Sequence, residues 1–433
     1  MVFIYCVFVV DNCNCYYQKK NFVTMKRLFL MLIGISLSTV LMAQKSLPLC
    51  YSKENSGKSL SPGSSPKAEQ ITYNQRFLPD PFLFSDGIFD DSFNNWELHR
   101  NEVSQMVQDY EIGIRPNFNK VVSEFDAVSK KLKVKVLTDS GQLEFFSDVV
   151  IPEGKGPFPV VIGMNFPSGS IKPQLFEGCI LIPFYHDQII KSSHQAVRDT
   201  AAAFYKVFPE LRDVSGNYSG WSWAISRLID AIFQQKKRLH ADISHIAVTG
   251  CSYAGKMAMF AGAFDERIAL TIIQESGGGG INCWRVSDYY TDSTTHDVER
   301  VNNTNYSWFS PKFKDDFNGK LSRLPYDHHQ IISMIAPRAV LVLGNPDFEW
   351  LCDYSGYVSC AAAAKVWDRF GISDRFGFVF EGGHNHCMAC DFENDAVKRF
   401  VAKYLFGKKS DTNIREAGIF KDVNTNRWTS HWQ

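Results

Sequence analysis

The sequence predicts an α/β fold, in which helices cover both faces of a mostly parallel central sheet. Short apolar segments rich in β-branched residues recur along the chain, as is typical of strands buried on both faces. Segments with helical periodicity lie between several of them. This alternation is typical of sheets whose strands run parallel. The 433 residues, 45% of them hydrophobic, are enough for one large domain of this kind.

The predicted elements follow from these local patterns. Alternating residues predict strands at 130–139 and 143–152. Continuous apolar runs predict buried strands at 157–166, 178–185, 243–250, 268–276, 338–345 and 375–383. Helical periodicity predicts helices near 97–110 and at 221–235, 256–265 and 391–407.

The N-terminal region predicts export. From Met25, two basic residues, an apolar stretch and a small residue at Ala43 have the order of a secretory signal peptide. We therefore expect residues 1–43 to be leader and signal peptide, and the mature chain to be secreted or periplasmic. Residues 44–70 are rich in Ser, Gly, Pro and Lys and predict a flexible linker.

The remaining chain predicts a single domain over 71–410 with an N-terminal extension, and a C-terminal tail over 411–433. The formal net charge of zero gives no indication of a nucleic-acid partner. No stretch after the signal is long and apolar enough to span a membrane, so no membrane partner is expected for the mature form. We expect a monomer.

The segment "VTGCSYAGKMAMF", residues 248–260, predicts a strand, a sharp corner and a helix, with Ser252 on the corner. Gly250 and Ser252 fit the Gly-x-Ser-x-Gly elbow that exposes a nucleophilic serine, whereas the second glycine, Gly255, comes one residue late. The amide that follows such a serine lies at a helix N-terminus, where it can stabilise an oxyanion. The alternative interpretation is an ordinary serine N-cap.

A serine nucleophile needs a base and an acid that orients the base. The loop "EGGHNHCMAC" after the last predicted strand offers His384 and His386 as bases. Glu275 ends the strand that follows the elbow helix, and Asp347 follows the strand after that. Either carboxylate can serve as the acid, or can simply cap a turn.

Five segments together resemble the glucuronoyl esterases, the carbohydrate esterases of family 15. They are "GCSYAGK", "AGAFDERIALTIIQESGGGGINCWRVSD", "GWSWAISRLIDA", "AAAAKVWDRFG" and "GGHNHC", and they cover roughly residues 150–405. The resemblance implies a three-layer α/β-hydrolase fold and a serine esterase without metal or cofactor. The implied substrate is a 4-O-methyl-glucuronoyl ester between glucuronoxylan and a lignin alcohol.

The resemblance also implies roles for single residues. Ser252 matches the family nucleophile, and His386, which directly precedes a cysteine, matches its histidine. Glu275 matches the acid of many members, and Asp347 stays as an alternative or auxiliary acid. Lys256 matches a lysine that contacts sugar hydroxyls, and Trp350 matches a tryptophan beside the sugar. For these last two, a surface charge and a core aromatic are the alternative interpretations.

Family members further imply two disulfide bonds, Cys251–Cys387 and Cys283–Cys360. The chain departs from the family pattern at Tyr253, which replaces an arginine that holds the substrate carbonyl. The backbone amide of Tyr253 remains, its hydroxyl is a possible replacement donor, and the loop 165–169 is expected to supply a second donor. The alternatives are an acetyl or other carbohydrate esterase, a peptidase of the same fold, and a carbohydrate-binding homologue with impaired catalysis.

Overall fold

A seven-stranded sheet forms the centre of the computed structural model, which describes residues 47–55, 65–193 and 195–433. Every neighbouring pair of strands in this sheet is parallel. This confirms the predicted, mostly parallel sheet. The predicted leader and signal peptide, 1–43, and residues 44–46 and 56–64 of the predicted linker lie outside the described residues.

The strands have the following bounds: β1 Lys120–Asp126, β2 Lys131–Thr138, β3 Gly141–Asp148, β4 Phe158–Met164, β5 Pro167–Ser170, β6 Ile180–Phe184, β7 Ala241–Cys251, β8 Leu270–Gln274, β9 Ala339–Gly344, β10 Phe376–Phe380 and β11 Arg415–Glu416. The strand order of the central sheet is β11-β10-β9-β8-β7-β4-β6. Strands β1, β2 and β3 form a separate antiparallel sheet. The two alternating segments predicted from the sequence are therefore strands, but they belong to this smaller sheet.

The α-helices have the following bounds: α1 Trp96–Val107, α2 Ala203–Val207, α3 Asn217–Leu239, α4 Tyr253–Phe264, α5 Trp284–Ser293, α6 Pro311–Phe317, α7 His328–Ser333, α8 Asp353–Arg369, α9 Asp391–Tyr404 and α10 Asn426–Thr429. All four helices predicted from periodicity are present, as α1, α3, α4 and α9. Helix α8 was not predicted, because it is buried around most of its circumference and lacks a single apolar stripe.

Alternate side chains of each central strand pack on opposite faces of the sheet, which gives the fold its three layers. In β4, Val160 and Ile162 belong to the apolar cluster that also holds residues of α3 and α4. Val161 belongs instead to a second cluster with Val397 and Phe400 of α9. Because both faces are covered, the strands read as continuous apolar runs in the sequence.

The N- and C-terminal segments that the structure describes pack on the same unit, residues 48–433. The Tyr51 amide donates to the Glu266 carbonyl, and Glu54 pairs with Arg115. In the predicted tail, Arg415–Glu416 adds the edge strand of the sheet and Trp428 is buried. Among the described residues, no helix combines the length and apolarity needed to cross a bilayer.

Candidate active site

Ser252 lies alone between β7 and α4, at the carboxyl edge of the sheet, with φ 59° and ψ −129°. Positive φ is uncommon for a non-glycine residue and occurs at strained nucleophile corners. The Ser252 amide donates to the Gln274 carbonyl at 3.0 Å, and the Ser252 carbonyl accepts from the Lys256 amide at 3.1 Å. Both backbone groups are thus fixed, and the hydroxyl makes no N-cap hydrogen bond to α4 among the described residues.

The corner is too tight for larger side chains on either side of Ser252. A Cβ atom at Gly250 would lie 2.2 Å from the carbonyl oxygen of Ala254, and one at Gly255 would lie 2.5 Å from that of Gln274. Gly255 therefore provides the close helix-to-strand approach even though it stands one residue later than in the usual motif.

Glu275 and His386 form the carboxylate–imidazole pair of the site. His386 Nδ1 lies 2.6 Å from Glu275 Oε2, and the Cys387 amide donates to Glu275 Oε1 at 2.9 Å. The side chain of Gln274 also donates to Oε1, at 3.1 Å. Glu275 is fully buried, so these three donors replace the water that a carboxylate would otherwise bind.

A disulfide bond between Cys251 and Cys387, with Cα atoms 5.7 Å apart, joins the two halves of the site. Cys251 precedes Ser252 and Cys387 follows His386. Both sulfur atoms and a ring nitrogen of His386 lie within 4.8 Å of one another. The bond implied by the resemblance is therefore present, and it brings the serine corner and the histidine loop together.

The second implied disulfide, Cys283–Cys360, is wrong, since both thiols are free and fully buried. Cys283 packs in a small cluster with Val358 and Ala362 of α8, whereas Cys360 packs in the main core. Because residues 358 and 362 share one face of the helix, Cys360 lies away from that face. Burial raises the pKa of both thiols well above the usual value.

The second candidate acid, Asp347, lies on an exposed turn after β9, and its Oδ2 accepts from the Gly383 amide at 2.6 Å. The second candidate base, His384, is enclosed by Glu381, Asn345 and Glu393. The structure thus places Glu275 against His386. Asp347 instead binds the backbone of the loop that carries His386, and His384 contacts residues at the two ends of that loop.

Tyr253 lies at the start of α4, and its hydroxyl accepts from Asn165 Nδ2 at 2.7 Å. His186 Nε2 lies 3.1 Å from the same hydroxyl, and the tyrosine ring stacks on Trp308 at 5.9 Å. Burial is the main cause that raises the pKa of Tyr253. Asn165 belongs to the loop from which a second oxyanion donor is expected.

Lys256 is almost fully buried, and its Nζ donates to both carboxylate oxygens of Glu299, at 2.9 and 2.7 Å. Burial lowers the pKa of Lys256, and Glu299 acts in the opposite direction. The Glu299 amide donates to the Trp350 carbonyl at 3.0 Å. Glu299 therefore contacts both the buried Lys256 and the half-exposed Trp350.

Sequence reasoning missed three residues of this site, His186, Glu299 and Phe348, and it included Asn165 only as part of the loop 165–169. The Phe348 ring stacks on the His386 imidazole, with 4.4 Å between centroids and 8° between planes. The sequence signal that could have identified Phe348 is its position directly after the candidate acid Asp347, in the segment that follows a buried strand. Glu299 gave none, since it lies in a loop far along the sequence from Lys256.

Within the part of the chain that the structure describes, two groups of side chains have atoms that lie closely enough to share a cation. One consists of Cys251, His386 and Cys387, but its two sulfur atoms are bonded to each other. The other consists of His384, Cys390 and Glu393, and it lies at the end of the histidine loop.

The parallel sheet, the strained serine corner and the histidine loop after β10 define an α/β-hydrolase. The family model described as "Glucuronyl esterase, fungi" matches residues 134–371. The chain belongs to the glucuronoyl esterases of carbohydrate esterase family 15, and it is an esterase.

Curated relatives and solved structures agree with this assignment. The 4-O-methyl-glucuronoyl methylesterase of Phanerochaete carnosa is 34% identical over 394 residues, covering 88% of this chain and 95% of the relative. The glucuronoyl esterase structure from Sporotrichum thermophile has a TM-score of 0.76 and 30% identity, covering 86% of this chain and 97% of that chain. The glucuronoyl esterase catalytic domain from Hypocrea jecorina has a TM-score of 0.75 and 30% identity, covering 85% of this chain and 98% of that chain.

Proposed function

We propose that the chain is a serine carboxylic-ester hydrolase that cleaves 4-O-methyl-glucuronoyl esters between xylan and lignin alcohols in the plant cell wall. The observation that carries this proposal is the continuous connection from Ser252 through the Cys251–Cys387 bond to His386, and from His386 to the buried Glu275. A serine-to-alanine variant of the Sporotrichum thermophile enzyme has been solved in complex with methyl 4-O-methyl-β-D-glucopyranuronate. That complex supports the substrate class for this chain.

The reaction proceeds in two acyl-transfer steps. His386 takes the proton of Ser252 while Oγ attacks the ester carbonyl of the uronic acid, and the imidazolium is stabilised by Glu275. The tetrahedral intermediate collapses, His386 donates the proton to the leaving alcohol, and a uronoyl–serine ester remains. Water, deprotonated by His386, then attacks the carbonyl of that ester. The bond to Ser252 Oγ breaks, the uronic acid is released, and His386 returns the proton to Oγ.

Backbone amides carry the oxyanion in this proposal. The Tyr253 amide is at the first residue of α4, where the positive end of the helix dipole favours a developing negative charge. The Tyr253 hydroxyl is engaged with Asn165 and His186, so it does not replace the charge of the family arginine. We expect a lower rate than in relatives with arginine, with the same reaction.

Lys256 and Trp350 are proposed to bind the sugar. An ammonium has three hydrogens, of which Glu299 takes two, so the third can be donated to a sugar hydroxyl. The exposed Trp350 ring, 41% accessible, offers an apolar face to the pyranose. The chain is proposed to act on glucuronoxylan as a secreted or periplasmic monomer, and the disulfide bond is consistent with an oxidising compartment.

The test compares methyl 4-O-methyl-glucuronate with acetylated xylan as substrates of the mature chain. We expect hydrolysis of the uronate ester, loss of at least about 10⁴-fold in Ser252→Ala, and wild-type activity in Ser129→Ala on a distant exposed turn. Preference for the acetyl ester would favour the acetyl esterase. Absence of both hydrolysis and labelling of Ser252 by a fluorophosphonate would favour the carbohydrate-binding homologue.

A further inference from the structure

His384 takes no part in the proposed chemistry, yet its side chain is only 7% exposed. It belongs to the loop 381–390, which connects β10 to α9 and carries His386. His384 Nε2 lies 3.0 Å from the carbonyl oxygen of Glu381 and 3.4 Å from Oε2 of Glu393. Since Glu381 begins the loop and Glu393 lies in the first turn of α9, the imidazole connects the two ends of the loop.

The partners of His384 are themselves fixed. Glu393 is fully buried, and its Oε2 accepts from the Cys390 amide at 3.0 Å. Asn345, buried at the end of β9, donates through Nδ2 to the His384 carbonyl at 2.9 Å. The backbone of His384 is therefore tied to the sheet, and its ring is tied to the following helix.

The ring keeps its contacts in both protonation states. In the neutral form with the proton on Nε2, Nδ1 can accept from Asn345 Nδ2 at 3.3 Å. In the imidazolium form, Nδ1 can donate to the Asn385 carbonyl at 3.1 Å while Nε2 still faces Glu381 and Glu393. Burial lowers the pKa of His384, but Glu393 and neighbouring carbonyls outweigh it and raise the pKa overall.

We propose that His384 is a positioning residue, which holds the loop 381–390 so that His386 meets Glu275. His386 lies two residues further on and, at 26% side-chain exposure, has less protein around it than His384 has. A displacement of a catalytic group by about 1 Å can cost about 10²-fold in rate. This role rests on the proposed function of His386 as the base.

The experiment measures kcat and KM on methyl 4-O-methyl-glucuronate for His384→Ala, His384→Gln and the control His245→Ala. His245 also contacts a carboxylate, Asp242 at 2.8 Å, but it lies in β7 away from the loop. We expect His384→Ala to lower kcat about 10–10²-fold with KM changed less than about twofold. His384→Gln, which keeps an N–H donor, should recover most of the rate, and His245→Ala should match the wild type.

Variants of Glu393 supply an independent readout. Glu393→Gln keeps an oxygen acceptor for Cys390 and His384 and should stay near the wild-type kcat, whereas Glu393→Ala should resemble His384→Ala. The double alanine variant should lose no more than the worse single variant, because both remove the same contact. If His384→Ala does not fold, the comparison of Glu393→Ala with Glu393→Gln carries the test.

Two outcomes would overturn the proposal: wild-type kcat in folded His384→Ala, or losses in the two alanine variants that multiply in the double variant. A wild-type chain without activity on the uronate ester would instead contradict the proposed function. The two failures are therefore distinguishable.

Discussion

The serine corner and the histidine loop are held in place by different means. Ser252 sits between a buried strand and a helix whose remaining residues after Tyr253 are all buried, and the Gly250 and Gly255 positions leave no space for a Cβ. Every residue of the loop 381–390 is at least partly exposed, and discrete contacts hold the loop: the disulfide bond, Glu275, Asn345, Asp347 and Glu393. Backbone packing thus fixes the proposed nucleophile, and individual side chains fix the proposed base.

This difference has a consequence for mutations. A change at the corner should reduce stability and activity together, because the corner is part of the core. A change at one contact of the loop should reduce kcat more than it reduces stability.

The largest effect is expected for Glu275→Gln. The amide cannot accept the Nδ1 proton and the Cys387 amide as a carboxylate does, so the imidazole loses both its orientation and the stabilisation of its charge. We expect kcat to fall about 10³–10⁴-fold, as for other triad acids changed to amides, in steady-state assays on a uronate ester. Asp347→Asn is the matched control and should stay within about threefold; a larger loss there than in Glu275→Gln would make Asp347 the acid.

Removal of the disulfide bond in Cys251→Ala/Cys387→Ala is expected to have the next largest effect. The bond closes a long loop, with a sequence separation of 136 residues, and such bonds contribute about 2–4 kcal/mol to the free energy of unfolding. The histidine loop also loses its covalent connection to the corner, so kcat should fall about 10–10²-fold. Urea unfolding and steady-state kinetics measure the two effects; an unchanged kcat would mean that the side-chain contacts position His386 without the bond.

Gly250→Ala should affect the corner directly. The added Cβ would meet the Ala254 carbonyl at 2.2 Å, and a backbone atom of a buried helix cannot move away easily. We expect a loss of about 2–3 kcal/mol in the free energy of unfolding together with reduced fluorophosphonate labelling of Ser252. A variant of full stability with only a lowered kcat would contradict the contrast between the two regions.

The sequence predicted most of the central fold because its strands and helices have strong local patterns. Strands β4, β6, β7, β8, β9 and β10 are continuous apolar runs, and α3 has clear periodicity. The separate sheet formed by β1, β2 and β3 could not be predicted, because alternation indicates a strand but not its partner. The two-residue β11 is too short to produce a pattern.

The predictability of the site follows the same division. Ser252 was identifiable from its corner, since it lies at the end of a predicted strand. The loop after the last predicted strand offered both His384 and His386, and the family resemblance selected His386. Glu275 and Asp347 were alternative candidates for the acid, because each follows one of two adjacent strands. Only the contact between Glu275 and His386 in the structure distinguishes them. The places of Glu299 and His186 in the site depend on contacts with residues far away in the sequence, which no local pattern can predict. The Cys283–Cys360 bond that the family resemblance implied is absent, because the orientation of helix α8 directs Cys360 away from Cys283.

Tyr253→Phe should have the smallest effect, although the residue directly follows the nucleophile. Asp187 Oδ1 lies 2.9 Å from Nδ1 of His186, which favours the tautomer with its proton on Nδ1 and leaves Nε2 to accept from the Tyr253 hydroxyl. The Tyr253 hydroxyl then donates its proton to His186 and cannot donate it to the oxyanion. The oxyanion is stabilised instead by the Tyr253 backbone amide, which phenylalanine retains.

For this variant we expect a loss of about 1 kcal/mol in stability from the unpaired Asn165 and His186, and a change in kcat of less than about fivefold. Thermal or urea unfolding and steady-state kinetics on the uronate ester provide both values. His186→Gln serves as the matched variant, since it disturbs the same hydrogen bonds and leaves the ring of Tyr253 in place. A loss of 10²-fold or more in Tyr253→Phe, the size of effect known for a lost oxyanion donor, would show that the hydroxyl donates to the oxyanion and that the serine corner, too, depends on a side-chain contact.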